Sequence, residues 1–291
     1  MASLRDIKRR IKSVKNTSQI TKAMQMVASA KMHRAQDQAL RGRNYIGALA
    51  NILAHLKEEI SQLDSPLMVP REEGKDLVIV VNTDRGLCGG LNTNLFREVR
   101  EQCPRDADFI TIGAKLNVQF AKYGLNLVAS WSLADPLELV QLRPIAAFIR
   151  KGFLDETYRT VRIVYPRFVN VMTQAPSVRS LLPIREEELL EVAQQGATKL
   201  EEGELSGDFI LEPDAKTVLA TILPLYLFYN MVQLVLEARA SEQSARMVAM
   251  KAATENAKNL IDDLTLDYNK ARQNQITNEL LEITTAMRAM E

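Results

Sequence analysis

IKSVKNTSQITKAMQMVASAKMHRAQ, residues 11–36, decides how this chain must be read. Ile11, Val14, Ser18, Thr21, Gln25, Ala28, Met32 and Ala35 recur at alternating spacings of three and four residues. The rhythm continues outward, through Leu4 and Ile7 before the stretch and Ala39, Gly42, Ile46, Leu49, Leu53, Leu56 and Ile60 after it. Such spacing puts every member on one helical face, the seam of a coiled coil. The seam is apolar at both ends and small or polar in the centre, so its middle either packs very closely or is partly wet. A helix from Ser3 to Glu58 would be about 84 Å long at about 1.5 Å per residue, too long for a single domain of this size to enclose.

The opposite end of the 291-residue chain mirrors this. No Pro or Gly occurs from Leu225 to Glu291, and the first Pro is Pro66; these are the two strongest helix breakers. Met231, Leu234, Ala238, Ala245, Val248 and Ala252 form one C-terminal seam, and Ile276, Leu280, Ile283 and Met287 another. Between them Ala249, Ala253, Ala257, Leu260, Leu264, Tyr268 and Ala271 follow a 4-4-3 spacing, an eleven-residue rhythm expected of a nearly straight pair. A helix starting near Pro213 would run about 115 Å, with Pro224 as an expected kink.

Between the two helices, roughly residues 75–207, β-branched runs at 77–81, 109–112, 161–165 and 178–184 alternate with helical patterns at 92–102, 114–123 and 136–150. That is the signature of a mostly parallel α/β sheet. The predicted fold is therefore mixed: a long antiparallel two-helix coiled coil made by both termini (1–60 and 210–291), with a Rossmann-like α/β domain (75–207) inserted between them.

Charge and composition narrow the function. Residues 1–45 carry a net charge of +9 and residues 186–214 a net charge of −9, although the whole chain is only +1. The acidic segment reads as a solvated connection into the last helix, and the basic helix calls for an acidic partner. Tyr45 is its first aromatic residue, so base stacking on nucleic acid has little to work with, and no Trp or Phe supports a helix lying on a membrane. No apolar run is read as a membrane span, and Met1-Ala2-Ser3 leads straight into the charged pattern, so a cytoplasm-like compartment is expected. Two cysteines and two histidines are too few for a disulfide framework or a structural zinc site. No metal, cofactor or catalytic constellation is expected.

One motif invites an enzymatic reading. TDRGLCGGLNTN, residues 83–94, follows the apolar run at 77–81. A Walker loop needs Gly-Lys-Ser/Thr, whereas Gly89-Gly90 leads into Leu91-Asn92, and Gly86, Gly89 and Gly90 lack the dinucleotide spacing. The residues leave open a plain strand-to-helix turn with Asn92 as the helix cap, a nucleotide site, or a protein-contact loop using Arg85 and Cys88.

Four stretches together carry a resemblance: residues 11–36, NTDRGLCGGLN at 82–92, SEQSARMVAMKAATENA at 241–257, and YNKARQNQITNELLEI at 268–283. In this order they resemble the gamma subunit of F-type ATP synthases, of bacterial type. The resemblance implies a non-catalytic rotor: the coiled coil turns inside three alpha and three beta subunits, the globular part meets epsilon and the ring of c subunits, and the membrane is touched only through that ring. It implies a peripheral position on the cytoplasmic face of the bacterial inner membrane. It makes Arg272 and Gln273 a hydrogen-bonding catch for a beta-subunit loop, puts Met24 and Arg246 near an acidic loop of beta, and puts Ile276, Leu280, Ile283 and Met287 in an apolar bearing. Arg85 and Cys88 then belong to a turn near beta, Arg85 offering charge and Cys88 a reachable thiol. The contrasting reading is a stand-alone α/β nucleotide-binding enzyme with helical arms.

Overall fold

A computed structural model describes residues 4–55, 65–185, 187–189, 192, 212 and 214–290. The expected seam positions Leu56 and Ile60, the helix start at Pro213 and most of the acidic segment lie outside the described residues. Those residues form two compact units, one of 30–245 and one in which the start of the chain (to Ser29) joins its end (from Arg246).

In the larger unit the chain runs β1 (Lys75–Val81), α2 (Leu91–Gln102), β2 (Asp108–Ile112), α3 (Asn117–Lys122), β3 (Asn126–Trp131), α4 (Arg143–Leu154), β4 (Tyr158–Phe168) and β5 (Gln174–Leu182), preceded by α1 (Leu4–His55) and followed by α5 (Ala215–Met290). The sheet order is β3-β2-β1-β4-β5, parallel except for the antiparallel β4–β5 pair. Central β1 is buried from Asp76 to Val81 because helices cover both of its faces, so it reads as a continuous apolar run. Val78 and Val80 face α2 and α3, packing with Leu95, Phe96, Val99 and Phe120. Leu77, Ile79 and Val81 face the larger core, which takes Ile46, Leu49 and Leu53 from α1, Ile145 and Ile149 from α4, and Leu223, Leu227 and Val235 from α5. Each such side chain contributes about 1.5–3 kcal/mol by leaving water. The buried Asp76 is pushed up by desolvation, but hydrogen bonds from Arg159 Nε (2.7 Å) and Thr160 Oγ1 (2.8 Å) outweigh this and hold its carboxyl below the ordinary range.

Several expectations change. Edge strand β3, NLVASW, was not among the expected strands; its alternating half-exposed pattern, with Val128 as its one β-branched residue, gives a weak signal. The pattern at 136–150 resolves into a 3₁₀ turn at Leu139–Leu142 and then α4, whose first turn holds Pro144, where a missing N–H is tolerated. Asn92 does not cap α2: the cap position is Gly90, with no side-chain hydrogen bond, and Asn92 turns back to the loop before it. At the start of α5 Asp214 caps instead, Oδ1 accepting from the Thr217 N–H (2.9 Å) and Oδ2 from its hydroxyl (2.8 Å). Helix α5 runs continuously through Pro224. One 18-residue stretch within Lys216–Met290 is also apolar and long enough to cross a membrane by length and composition, contrary to the expectation that no run is, and 44% of it is buried within the protein.

In the smaller unit α1 keeps its 3-4 pattern, every expected position from Leu4 to Ala28 being half-buried or buried. On α5 Met250, Thr254, Ala257, Ile261, Leu264, Tyr268 and Ala271 are shielded at a 4-3-4-3-4-3 spacing, a heptad rhythm, and Ala249, Ala253, Ala257, Leu264, Tyr268 and Ala271 of the expected eleven-residue rhythm are shielded too. The exception is Leu260, exposed while Ile261 beside it is half-buried, and Ala252 of the other seam is exposed.

Candidate functional site

The loop after β1 is a built turn. Asn82 N donates to Ile112 O (2.8 Å) and its Nδ2 to Gly113 O (3.0 Å). Gly113, at φ +107, passes so close that a Cβ there would sit 2.4 Å from Asn82 O, so only glycine fits. Thr83 Oγ1 donates to Arg85 O (2.8 Å) and accepts from Asn92 Nδ2 (2.7 Å), while Asp84 Oδ1 accepts from Ala114 N (3.1 Å). The glycines serve the turn itself: Gly89 adopts φ +59, and Gly90 begins α2. The polar side chains of the loop, Asn82, Thr83, Asp84 and Asn92, are thus engaged within the turn and its neighbours.

Arg85 and Leu87 are exposed, whereas Cys88 is 3% exposed and packs with Leu91 and Ala245. The reachable thiol is thus corrected: Cys88 is an apolar pin between loop and α5, with Asn92 Nδ2 3.6 Å from its sulfur. Leu87 was missed by sequence reasoning. It is 61% exposed and holds φ +64, a conformation that costs an L-residue about 1–2 kcal/mol. An apolar side chain displayed at a turn where Asn or Gly would be cheaper was the available signal.

Within the smaller unit Met24 is half-buried, and the apolar groups α1 displays are Ile20, Met26 and Val27, at 59%, 60% and 55% exposure. Arg246 is buried and interacts within the chain, leaving little surface for a partner. Arg272 and Gln273 are exposed, as is every residue from 272 to 290, including Ile276, Leu280, Ile283 and Met287.

Within the larger unit, hydrogen bonds tie residues 239–244 of α5 to neighbouring loops. Ser244 Oγ donates to Val171 O (2.7 Å), and Arg239 Nη2 donates to Leu133 O (3.0 Å) while pairing with Glu242 at 3.4 Å. Nearby, Lys31 pairs with Asp135 at 2.5 Å beside a cleft of about 140 Å³ that Arg34 and Gln243 also line. Burial pushes the Glu237 carboxyl up, although Arg43, Arg179 and Arg167 and the Phe168 N–H pull the other way. Burial, aided by Glu237, likewise pushes the Tyr165 phenol up to about 12. Among the described residues no group of three or more His, Cys, Asp or Glu side chains converges to hold a metal ion. The arrangement offers exposed helix surfaces and a rigid turn, the equipment of contact rather than of bond chemistry.

Comparison with known proteins accords with that equipment. The ATP synthase family model matches residues 3–290. The ATP synthase gamma chain of Akkermansia muciniphila is 62% identical over 291 residues, covering 100% of both chains, and that of Opitutus terrae is 42% identical with 98% of each covered. Among solved structures, a chain of the Euglena gracilis mitochondrial ATP synthase OSCP/F1/c-ring aligns with a TM-score of 0.66 at 21% identity, covering 99% of this chain and 94% of that one. A chain of the Tetrahymena thermophila central stalk and c-ring aligns with a TM-score of 0.60 at 24% identity, covering 80% and 99%. These structures share the fold, and the sequence matches run the full length of the chain: it belongs to the ATP synthase gamma chain family.

Proposed function

We propose that this chain is the central rotor shaft of a proton-translocating ATP synthase, coupling ion flow through a c-ring to conformational change at the nucleotide sites of three alpha and three beta subunits. The observation that carries the reading is whole-length membership of the gamma chain family by a protein whose α5 ends in nineteen exposed residues, 272–290, bearing an apolar face that nothing among the described residues covers. The likeness to chains from a stalk and a c-ring supports the same partners, with epsilon on the globular part, and a peripheral position on the cytoplasmic face of a bacterial membrane.

In this reading the smaller unit is an antiparallel coiled coil of α1 and α5, and residues 75–207 form a Rossmann-like insert; the strand order β3-β2-β1-β4 supports the latter. Ile276, Leu280, Ile283 and Met287 run in an apolar bearing. Arg272 and Gln273 are the catch on a beta-subunit loop, the guanidinium fork suiting a carboxylate that is gripped and released each turn. Met24, together with Ile20 and Val27 beside it, and Arg246 through the small surface it keeps, meet an acidic loop of beta. Arg85 and Leu87 present the turn after β1 to the same subunit. Because the shaft differs from face to face, each rotor angle contacts the three beta subunits unequally, and that inequality is what biases their affinities for nucleotide.

Reconstitution tests this. The isolated chain is expected neither to bind nor to hydrolyse ATP, and to restore coupled ATPase activity when added to alpha and beta subunits. Tight nucleotide binding by the isolated chain would instead favour the stand-alone enzyme, which no observation here supports.

A further inference from the structure

We propose that the α2–α3 face of the larger unit is a docking surface for an acidic protein segment that carries an apolar side chain. Arg97, Arg100 and Lys122 line one depression of about 390 Å³ between the two helices, together with Phe96, Gln119 and Tyr123. All three cations are exposed, and among the described residues no carboxylate lies within ion-pair distance of any of them. Glu98 and Glu101 share α2 but do not line the depression.

The two arginines are already held. Arg100 sits 5.0 Å over the Tyr123 ring, and Arg97 Nη2 donates to Asn94 Oδ1. A partner therefore meets cations whose ordering cost is largely met before binding. Tyr123, 53% exposed, packs against Phe96 at 5.1 Å between ring centroids, so the depression has an aromatic edge beside its charge.

These two features, the cations and the aromatic edge, together select the occupant. A phosphate ion meets the cations but leaves the Phe96–Tyr123 edge bare, and a lipid surface suits a flat or protruding face better than a depression. A peptide supplies both requirements: carboxylates for Arg97, Arg100 and Lys122, and an aliphatic or aromatic side chain for the rings. Among the described residues of the larger unit, α1, α4 and α5 pack on the other side of the sheet. The proposal does not depend on the rotor reading, since it rests on this face alone.

The test replaces Thr93, an exposed lining residue on α2, by p-benzoylphenylalanine in the full chain within its native complex, followed by irradiation and mass mapping of the adduct. The expected result is an adduct on a protein segment with at least two Asp or Glu within four residues. Its yield should fall at least fivefold in Arg97→Glu/Lys122→Glu, and fall again as salt is raised toward 1 M, where the screening length is about 3 Å. Should the charge-reversed chain fail to assemble, Arg97→Gln/Lys122→Gln gives the same reading with a smaller drop. An adduct on a segment without acidic residues, on lipid or on nucleic acid, an unchanged yield in both pairs, or no adduct, overturns the proposal.

Discussion

Thr21 Oγ1 lies 2.7 Å from Thr254 Oγ1, joining residues 233 apart in sequence across the two helices of the smaller unit. Each hydroxyl also faces a carbonyl of its own helix, Ser18 O at 3.1 Å and Met250 O at 2.8 Å. A hydroxyl has one proton, so only one of the pair donates across at a time and the other keeps its local bond. A polar pair inside a shielded seam fixes register, because sliding either helix leaves a hydroxyl facing apolar groups.

Thr21→Val and Thr254→Val are each expected to cost about 0.5–1.5 kcal/mol by removing the bond across the helices, while the double variant costs less than their sum. Urea unfolding of the four proteins measures this. Strict additivity would mean that the hydroxyls are not coupled.

At Leu87 the trade is between stability and contact. Leu87→Gly relieves the left-handed strain and should stabilise the chain by about 0.5–1 kcal/mol while weakening assembly with the beta subunit. Thermal melting and an assembly titration separate the two effects. A variant that is stabilised and assembles normally would remove Leu87 from the contact surface.

Glu237 gives a pH dependence with a definite sign. Its carboxyl is pushed up by burial, so the folded state holds the proton more tightly than the unfolded chain does. The stability this adds is full below the ordinary carboxylate range and is lost as pH rises through the folded value. Glu237→Gln, which lacks the buried charge, should therefore gain on the parent protein from pH 4.5 to 8 in melting temperature. The opposite trend would show that Arg43, Arg179 and Arg167 outweigh burial.

The two ends of the chain were legible because a 3-4 rhythm survives whatever covers it: the seam from Leu4 to Leu53 is read directly from spacing. On α5 small residues blurred the rhythm. With Ala at 245, 249, 252, 253 and 257, several spacings fit equally, and only the burial of Ile261 rather than Leu260 selects the heptad. Strand β1 was plain because burial on both faces makes 77–81 a continuous apolar run, and β4 through its VRIVY stretch at 161–165, whereas edge strand β3 had no such signature. At the candidate site, residue type suggested a reachable Cys88 and a contacting Met24, but exposure depends on which way a turn or helix faces. The structure buries Cys88, leaves Met24 half-buried, and displays Leu87, Ile20 and Val27 beside them.

Arg272→Ala with Gln273→Ala should leave helicity unchanged, since both side chains are exposed, and should weaken coupling between ATP hydrolysis and proton pumping in the assembled complex. Circular dichroism and proton-pumping assays on membrane vesicles report the two properties. A loss of helicity would assign these residues to internal packing instead.

The central claim is rotation. A bead attached to the larger unit of this chain, assembled with three alpha and three beta subunits fixed to a surface, should turn in one direction when ATP is supplied. It should pause at thirds of a turn, as a shaft read by three equivalent partners must. A bead that stays still while the same complexes hydrolyse ATP would contradict the account.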